Sequence, residues 1–415
     1  VIAWLCLSLS ASIDAGEAAS GARRAEQSSD VVAIPFILDA QRILMNVSFA
    51  RPDGAIRHAL VWLNMGMPAP VLTKALYREL RIDRGEPLNL RLGEDSIVAA
   101  PDTIVDGDGG LANPDFNQRF SPYLVEAMIP AGLLRRYVVT IDYQRRILSL
   151  AAPGARKPEG TAVPFAFNEK TGLIAVDAVV DGAAFPMVVD AGSGYSWMRG
   201  DMVARWLAAH PDWRRAEGAV GPANYNMLDY DFEKQGTIAR IPQISVGAVD
   251  LKNLGVLGTG PVLGRLGDSL FCDLFWDNWQ KAAPGPAAGW LGANALKPFK
   301  LSIDFPNRVS YWRAQTKADA HDLDQVGVTL VRRADGYFIG GIVRKADRDG
   351  GEDETVEGVE IGDELIAVNG LAVRGLTRDQ VLSALHGAPD EARILRVSGP
   401  SGAMREIAAR VAAFD

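Results

Sequence analysis

Cysteine and histidine are scarce in this chain. Its 415 residues include two cysteines and four histidines. The cysteines are Cys6, inside an apolar leader-like stretch, and Cys272. With the leader removed only Cys272 remains, which excludes an intramolecular disulfide. His58, His210, His321 and His386 are scattered, with no His-Glu-x-x-His and no Gly-x-x-x-x-Gly-Lys. The sequence therefore predicts no metal site, no nucleotide site and no cofactor. Positive charge is also short. Lys and Arg number 43 against 51 Asp and Glu, a net charge of −8, and no basic stripe offers itself to nucleic acid. Long apolar runs are missing as well. Val1 to Ile13 has the length of a signal-peptide core and falls short of the about 20 residues that cross a bilayer. We read residues 1–30 as a clipped signal peptide followed by a small, polar linker, so the mature chain should carry no transmembrane span. A periplasmic or otherwise extracytoplasmic location follows as an expectation.

What is present describes a globular chain of two or three domains, with 48% hydrophobic and 23% charged residues. The fold class expected is mainly β. Alternation over Ile43–Phe49 and Arg57–Leu63 predicts half-buried strands, and Ile238 to Leu257 reads as a strand pair. Short helices are predicted at Leu72–Leu80 and Met202–His210, the second ended by Pro211. Pro153, Gly154, Pro158 and Gly160 mark a linker.

The stretch with chemistry in it is Phe185-Pro186-Met187-Val188-Val189-Asp190-Ala191-Gly192-Ser193. An apolar strand that runs into an acid must pair that acid or use it, and the glycine lets backbone approach closely. Downstream lie Trp290-Leu291-Gly292 and Leu301-Ser302-Ile303-Asp304. Met128 through Tyr143 lies over Trp290 through Phe305 without a gap; from 128 to 290 and from 142 to 304 the shift is 162. Aligning glycines sets Val61-Trp62-Leu63-Asn64-Met65-Gly66 on Val188 to Ser193, with Asn64 in the place of the acid.

These blocks resemble the aspartic peptidases, retropepsin-like and pepsin-like. The resemblance implies two pseudo-symmetric β lobes, a degenerate first at 31–152 and a second at 160–313 with an insertion at 260–289. It places Asp190 and Asn64 at the catalytic positions. The loops around them would be Ala191, Gly192 and Ser193 on one side and Met65 and Gly66 on the other. In such sites two carboxylates share one proton and exchange acid and base roles. Asn64 transfers no proton, and Ala191 and Met65 lack the hydroxyls that would interlock the loops, so weak or no activity and looser geometry are expected.

The insertion carries Leu270, Phe271, Leu274, Phe275 and Trp279 at helical spacing, which packs on its own lobe, covers a cleft or docks a partner. Gly267-Asp268-Ser269-Leu270 matches a serine-esterase tetrad without its partner residues. Asp106 to Gly110 reads as a turn, since the remaining ligand spacing of a calcium loop is missing.

Residues 322–413 carry Glu357-Gly358-Val359-Glu360-Ile361-Gly362-Asp363 leading to Val368-Asn369-Gly370, then a capping box at Thr377-Arg378-Asp379-Gln380 with Val381, Leu382 and Leu385 on one face. This segment resembles a bacterial PDZ domain (α+β). The resemblance implies capture of a peptide terminus at a solvent-open Val326-Gly327-Val328 loop, beside Val381 and Leu385. Two functional readings stand side by side. One is an endopeptidase acting on extended polypeptides, through an Asp/Asn pair or by self-association of two Asp190 loops. The other is an inactive pseudo-peptidase serving as a peptide-binding or structural subunit of an envelope complex.

Overall fold

Strands are the commonest regular element among the described residues, as the alternation requires; the protein is mainly β. The structure, a computed structural model, describes residues 31–93, 95–107, 119–261, 276, 277, 279–334, 336–346 and 352–414. The expected leader and linker, Leu270, Phe271, Leu274 and Phe275 of the insertion, the Gly267–Leu270 tetrad and the end of the Asp106–Gly110 turn lie outside the described residues. Among the described residues the strands form sheets of 13, 10 and 7. No helix among them is long and apolar enough to cross a membrane.

The sequence-predicted elements form close to their expected places. Strands run Arg42–Ala50 and Ile56–Leu63, and Thr237–Val246 pairs with Val249–Gly258 in one long hairpin. Helices span Lys74–Glu79, capped by the Thr73 hydroxyl on Leu76 N–H, and Gly200–Ala209. Thr73 satisfies one of the amides a helix start leaves without a partner.

Two registers position the Asn64 and Asp190 loops. Ile56–Leu63 lies parallel to Val125–Ile129, with Trp62 opposite Met128, while Val71–Leu72 runs antiparallel along the far side. Ala183–Val189 lies parallel to Gly289–Leu291, with Val188 opposite Trp290, and Trp197–Met198 runs antiparallel along the far side. The residue after each first strand donates its backbone N–H to the neighbouring strand: Asn64 to Ile129 O at 2.9 Å, and Asp190 to Leu291 O at 3.0 Å. Beneath them, Val138–Asp142 pairs antiparallel with Phe299–Asp304, and Thr140 stands opposite Ser302 with their hydroxyls 2.8 Å apart.

The C-terminal sheet runs in the order Gln325–Val326, Met404–Ala412, Ala392–Ser398, Glu364–Val368, Gly336–Ile342 and Val328–Arg333. Helix Arg378–Leu385 has the predicted capping box, with Thr377 and Gln380 each satisfying the other's backbone N–H. The C-terminal region is not merely tethered, since its strand Arg344–Ala346 joins the ten-stranded sheet by pairing with Arg215–Glu217. Buried residues from both regions, among them Tyr195, Trp290, Val326 and Leu385, share one apolar cluster.

Candidate functional site around Asp190

Asp190 and Asn64 follow directly on buried strands, and they are 5% and 6% exposed. The loops after them touch backbone to backbone. A Cβ on Gly192 would run into Asn64 Cα and come within 2.5 Å of Leu63 O. A Cβ on Gly66 would strike Asp190 Oδ2 and lie 2.7 Å from Trp290 Cδ1. Both positions have to be glycine because the partner loop occupies the space a side chain needs. The N–H of Gly66 donates to Asn64 Oδ1 at 3.1 Å and also supports the Asp190 carboxylate, so it lies between the two side chains. On its own loop, Asp190 Oδ1 accepts from Gly192 N–H at 2.8 Å.

The looser geometry expected from missing hydroxyls is not found. Trp62 Nε1 donates to Gly192 O at 3.0 Å, crossing from one loop to the other. Met65 and Ala191 are fully buried in the same apolar cluster, so dispersion contacts stand in place of the interlocking hydroxyl bonds these side chains cannot make. Ser193 turns its hydroxyl back onto Tyr195 O at 2.7 Å. Behind the loop, Asn294 Oδ1 accepts from Ser196 N–H and Oγ, both at 2.7 Å, while its amide nitrogen donates to Gly255 O at 2.8 Å.

Burial raises the Asp190 carboxyl to about 6, against backbone N–H bonds from Gly192, Gly66, Met65 and Ser193 that pull it down. Tyr143 and Tyr225 are buried nearby, and burial raises both phenols. Tyr225 lies against the Asp190 loop, where a Cβ on Gly194 would come within 3.0 Å of Tyr225 Cβ. Trp197 stacks on Trp290 with centroids 4.1 Å apart, and Trp279, the described part of the insertion's expected apolar face, meets Trp290 edge-on at 5.0 Å. Among the described residues no three His, Cys, Asp or Glu side chains gather as a metal site. Sequence reasoning missed Trp62, Tyr143 and Tyr225. Trp62 sits two residues before Asn64 and was within reach; nothing local marks the tyrosines.

The raised carboxyl makes a prediction. A group that binds its proton more tightly folded than unfolded lowers stability as pH climbs from the unfolded to the folded value. Asp190 should cost nothing below its ordinary value of 3.8 and its full ionisation penalty above about 6. Two decades of proton affinity correspond to about 3 kcal/mol. Urea unfolding of Asp190→Asn and the parent should therefore diverge in the variant's favour by that order between pH 3.5 and pH 7.5. A constant difference would contradict the assignment.

The peptide-terminus site is not arranged as expected. Val326 and Val328 are 1% and 3% exposed, and Val326 pairs with Val411. Gly327 O accepts from Val343 N–H at 2.9 Å, and a Cβ on Gly327 would strike Thr355. The loop is closed rather than open to solvent because neighbouring strands use its backbone. Val381 and Leu385 are buried in the apolar cluster that includes Val326.

No family model and no curated protein matches this chain. Two solved structures are similar in part. Basic 7S globulin from soybean is 8% identical with a TM-score of 0.39, covering 69% of this chain and 95% of its own. Conglutin gamma, a basic 7S globulin from lupine seeds, is 8% identical with a TM-score of 0.38, covering 70% and 96%. No family model assigns this chain to the aspartic peptidases or gives it a PDZ domain, and neither solved structure is described as either, so that resemblance is withdrawn. The motifs behind it are short turns, acid-x-Gly-Ser in one case and Gly-Asp running to Asn-Gly in the other. Sheet proteins of many kinds need such turns, so they do not fix a family.

Proposed function

We propose that this protein binds extended polypeptide at the paired loops of Asp190 and Asn64, and that its unpaired acid leaves it with little or no hydrolytic activity. The observation that carries this reading is the meeting of the loops, with the Gly66 N–H lying between a carboxylate and a carboxamide. A carboxylate accepts from a peptide N–H, and a carboxamide donates to a peptide C=O. Side by side, the two suit the two faces of one peptide group. Peptide hydrolysis would need a second group able to gain and lose a proton, and Asn64 is not one.

The constant shift of 162 supports a duplication in which two β halves each contribute one loop. The registers Trp62–Met128 and Val188–Trp290 agree with it, as does the pairing of Thr140 with Ser302. Export from the cytoplasm is part of the same proposal and rests on the Val1–Ile13 sequence alone.

Asn64→Asp tests the chemistry. It sets two carboxyls around one N–H, where like charges share a proton. Turnover of an unfolded protein near pH 5 should rise by roughly 10²–10⁴ over the parent. Asp190→Ala in the same background should abolish that gain. An Asn64→Asp protein that folds, binds the polypeptide and shows no gain would sink the proposed geometry.

A further inference from the structure

Tyr225 belongs to a segment, Ala219 to Met227, whose hydrogen bonds run in two directions. Behind it, the buried Glu233 carboxylate accepts from Asn226 N–H at 2.8 Å, Met227 N–H at 2.9 Å and Asn224 Nδ2 at 2.9 Å. In front, the C-terminal strand Val328–Arg333 holds it. Thr329 Oγ1 donates to Ala219 O at 2.7 Å, Leu330 N–H to Asn224 Oδ1 at 2.7 Å, and Arg332 N–H to Met227 O at 2.8 Å. Asn224 Nδ2 also reaches Leu330 O at 3.2 Å. Leu330 and Arg332 are alternate residues, so these are the outward groups of a sheet edge, satisfied by a segment of the same chain. The segment also closes on the Asp190 loop. A Cβ on Gly194 would lie 3.0 Å from Tyr225 Cβ.

We infer that residues 219–227 form a cover over the Asp190 loop, latched by strand Val328–Arg333, and that the cover lifts to admit ligand. Tyr225 can leave Gly194 of the Asp190 loop only if the segment that carries it moves, and the C-terminal strand ties that segment at Ala219, Asn224 and Met227. Lifting exposes the N–H groups of Leu330 and Arg332, which an extended chain can take up as an added strand. The identity of the ligand rests on the polypeptide-binding reading above; the cover itself rests on the contacts.

Hydrogen exchange on the full chain separates the two. Asn224→Ala removes both latch bonds of that side chain together with its bond to Glu233, and Thr329→Val removes one latch bond with little change of shape. Amides in 219–227 and in 191–194 should exchange faster together, by about tenfold in Asn224→Ala and by a smaller factor in Thr329→Val. A carboxymethylated, permanently unfolded polypeptide should bind each variant more tightly by a matching factor, because a larger fraction is already open. Faster exchange confined to 219–227 would overturn the cover, whatever binds. Joint acceleration with no polypeptide bound by any form would uphold the cover and remove the binding reading instead.

Discussion

Gly192→Ala should lower the stability of the protein by about 3 kcal/mol, seen as a lower urea midpoint at unchanged slope. The added methyl meets backbone, namely Asn64 Cα and, at 2.5 Å, Leu63 O. A rotamer change cannot relieve a clash with main chain, so the loops must part, and parting them breaks the 3.0 Å bond from Trp62 Nε1 to Gly192 O. Gly66→Ala sets a useful contrast. Its methyl meets side chains, Asp190 and Trp290 Cδ1 at 2.7 Å. Side chains can swing, so the stability loss should be smaller, with the damage falling on the Asp190 carboxylate and on ligand binding. Gly285→Ala, where a Cβ meets nothing within 4 Å, is the control and should be neutral. Equal midpoints for Gly192→Ala and Gly285→Ala would mean the loops do not touch.

Asp39→Ala should cost about 3–5 kcal/mol, the usual penalty for stripping a buried ion pair of one partner. Asp39 and Arg42 are both fully buried, 2.6 Å apart, across a turn at Ala40 and Gln41. Arg42 also donates to Arg119 O at 2.9 Å and lies over the Phe120 ring. Arg332 and Arg378 are likewise buried and fully shielded from solvent. Burial first, then repulsion from Arg42, pushes the Arg378 guanidinium well down, while Asp39 pulls it back up. Removing Asp39 takes negative charge away from Arg42 and Arg378 at once. Asp39 further accepts from Asp379 N–H at 3.4 Å, so the same carboxylate ties the N-terminal turn to the C-terminal helix. Asp39→Asn keeps the acceptor and loses the charge, and it should fall between the parent and Asp39→Ala. If the two substitutions cost the same, charge rather than hydrogen bonding holds this junction; an Asp39→Asn protein as stable as the parent would mean the reverse.

Several features were legible from short-range pattern. Strand alternation, the Thr377–Gln380 capping box and the helix ended near Pro211 depend on neighbours a few residues apart. The buried acid of the Asp190 loop was legible for a similar reason: an acid after an apolar strand is costly unless used. Family membership was not legible, because turn motifs of four to six residues meet a backbone need common to unrelated sheets. The openness of the Val326 loop was misjudged for a different reason. Its spacing suited a free carboxylate-binding turn, but Val411 and Val343 supply the backbone partners that close it.

By itself, then, the sequence determined which segments become strands, where the chain turns and which acid ends a buried strand, since these follow from periodicity and local hydrogen bonding. Tertiary structure alone decided that Trp62 bonds Gly192 across 130 positions, that Tyr225 packs against Gly194 of the Asp190 loop, and that strand Val328–Arg333 spends its edge on residues 219–227. Those contacts depend on which surfaces are brought together once the sheets pack, and no pattern within a few residues encodes a partner a hundred positions away.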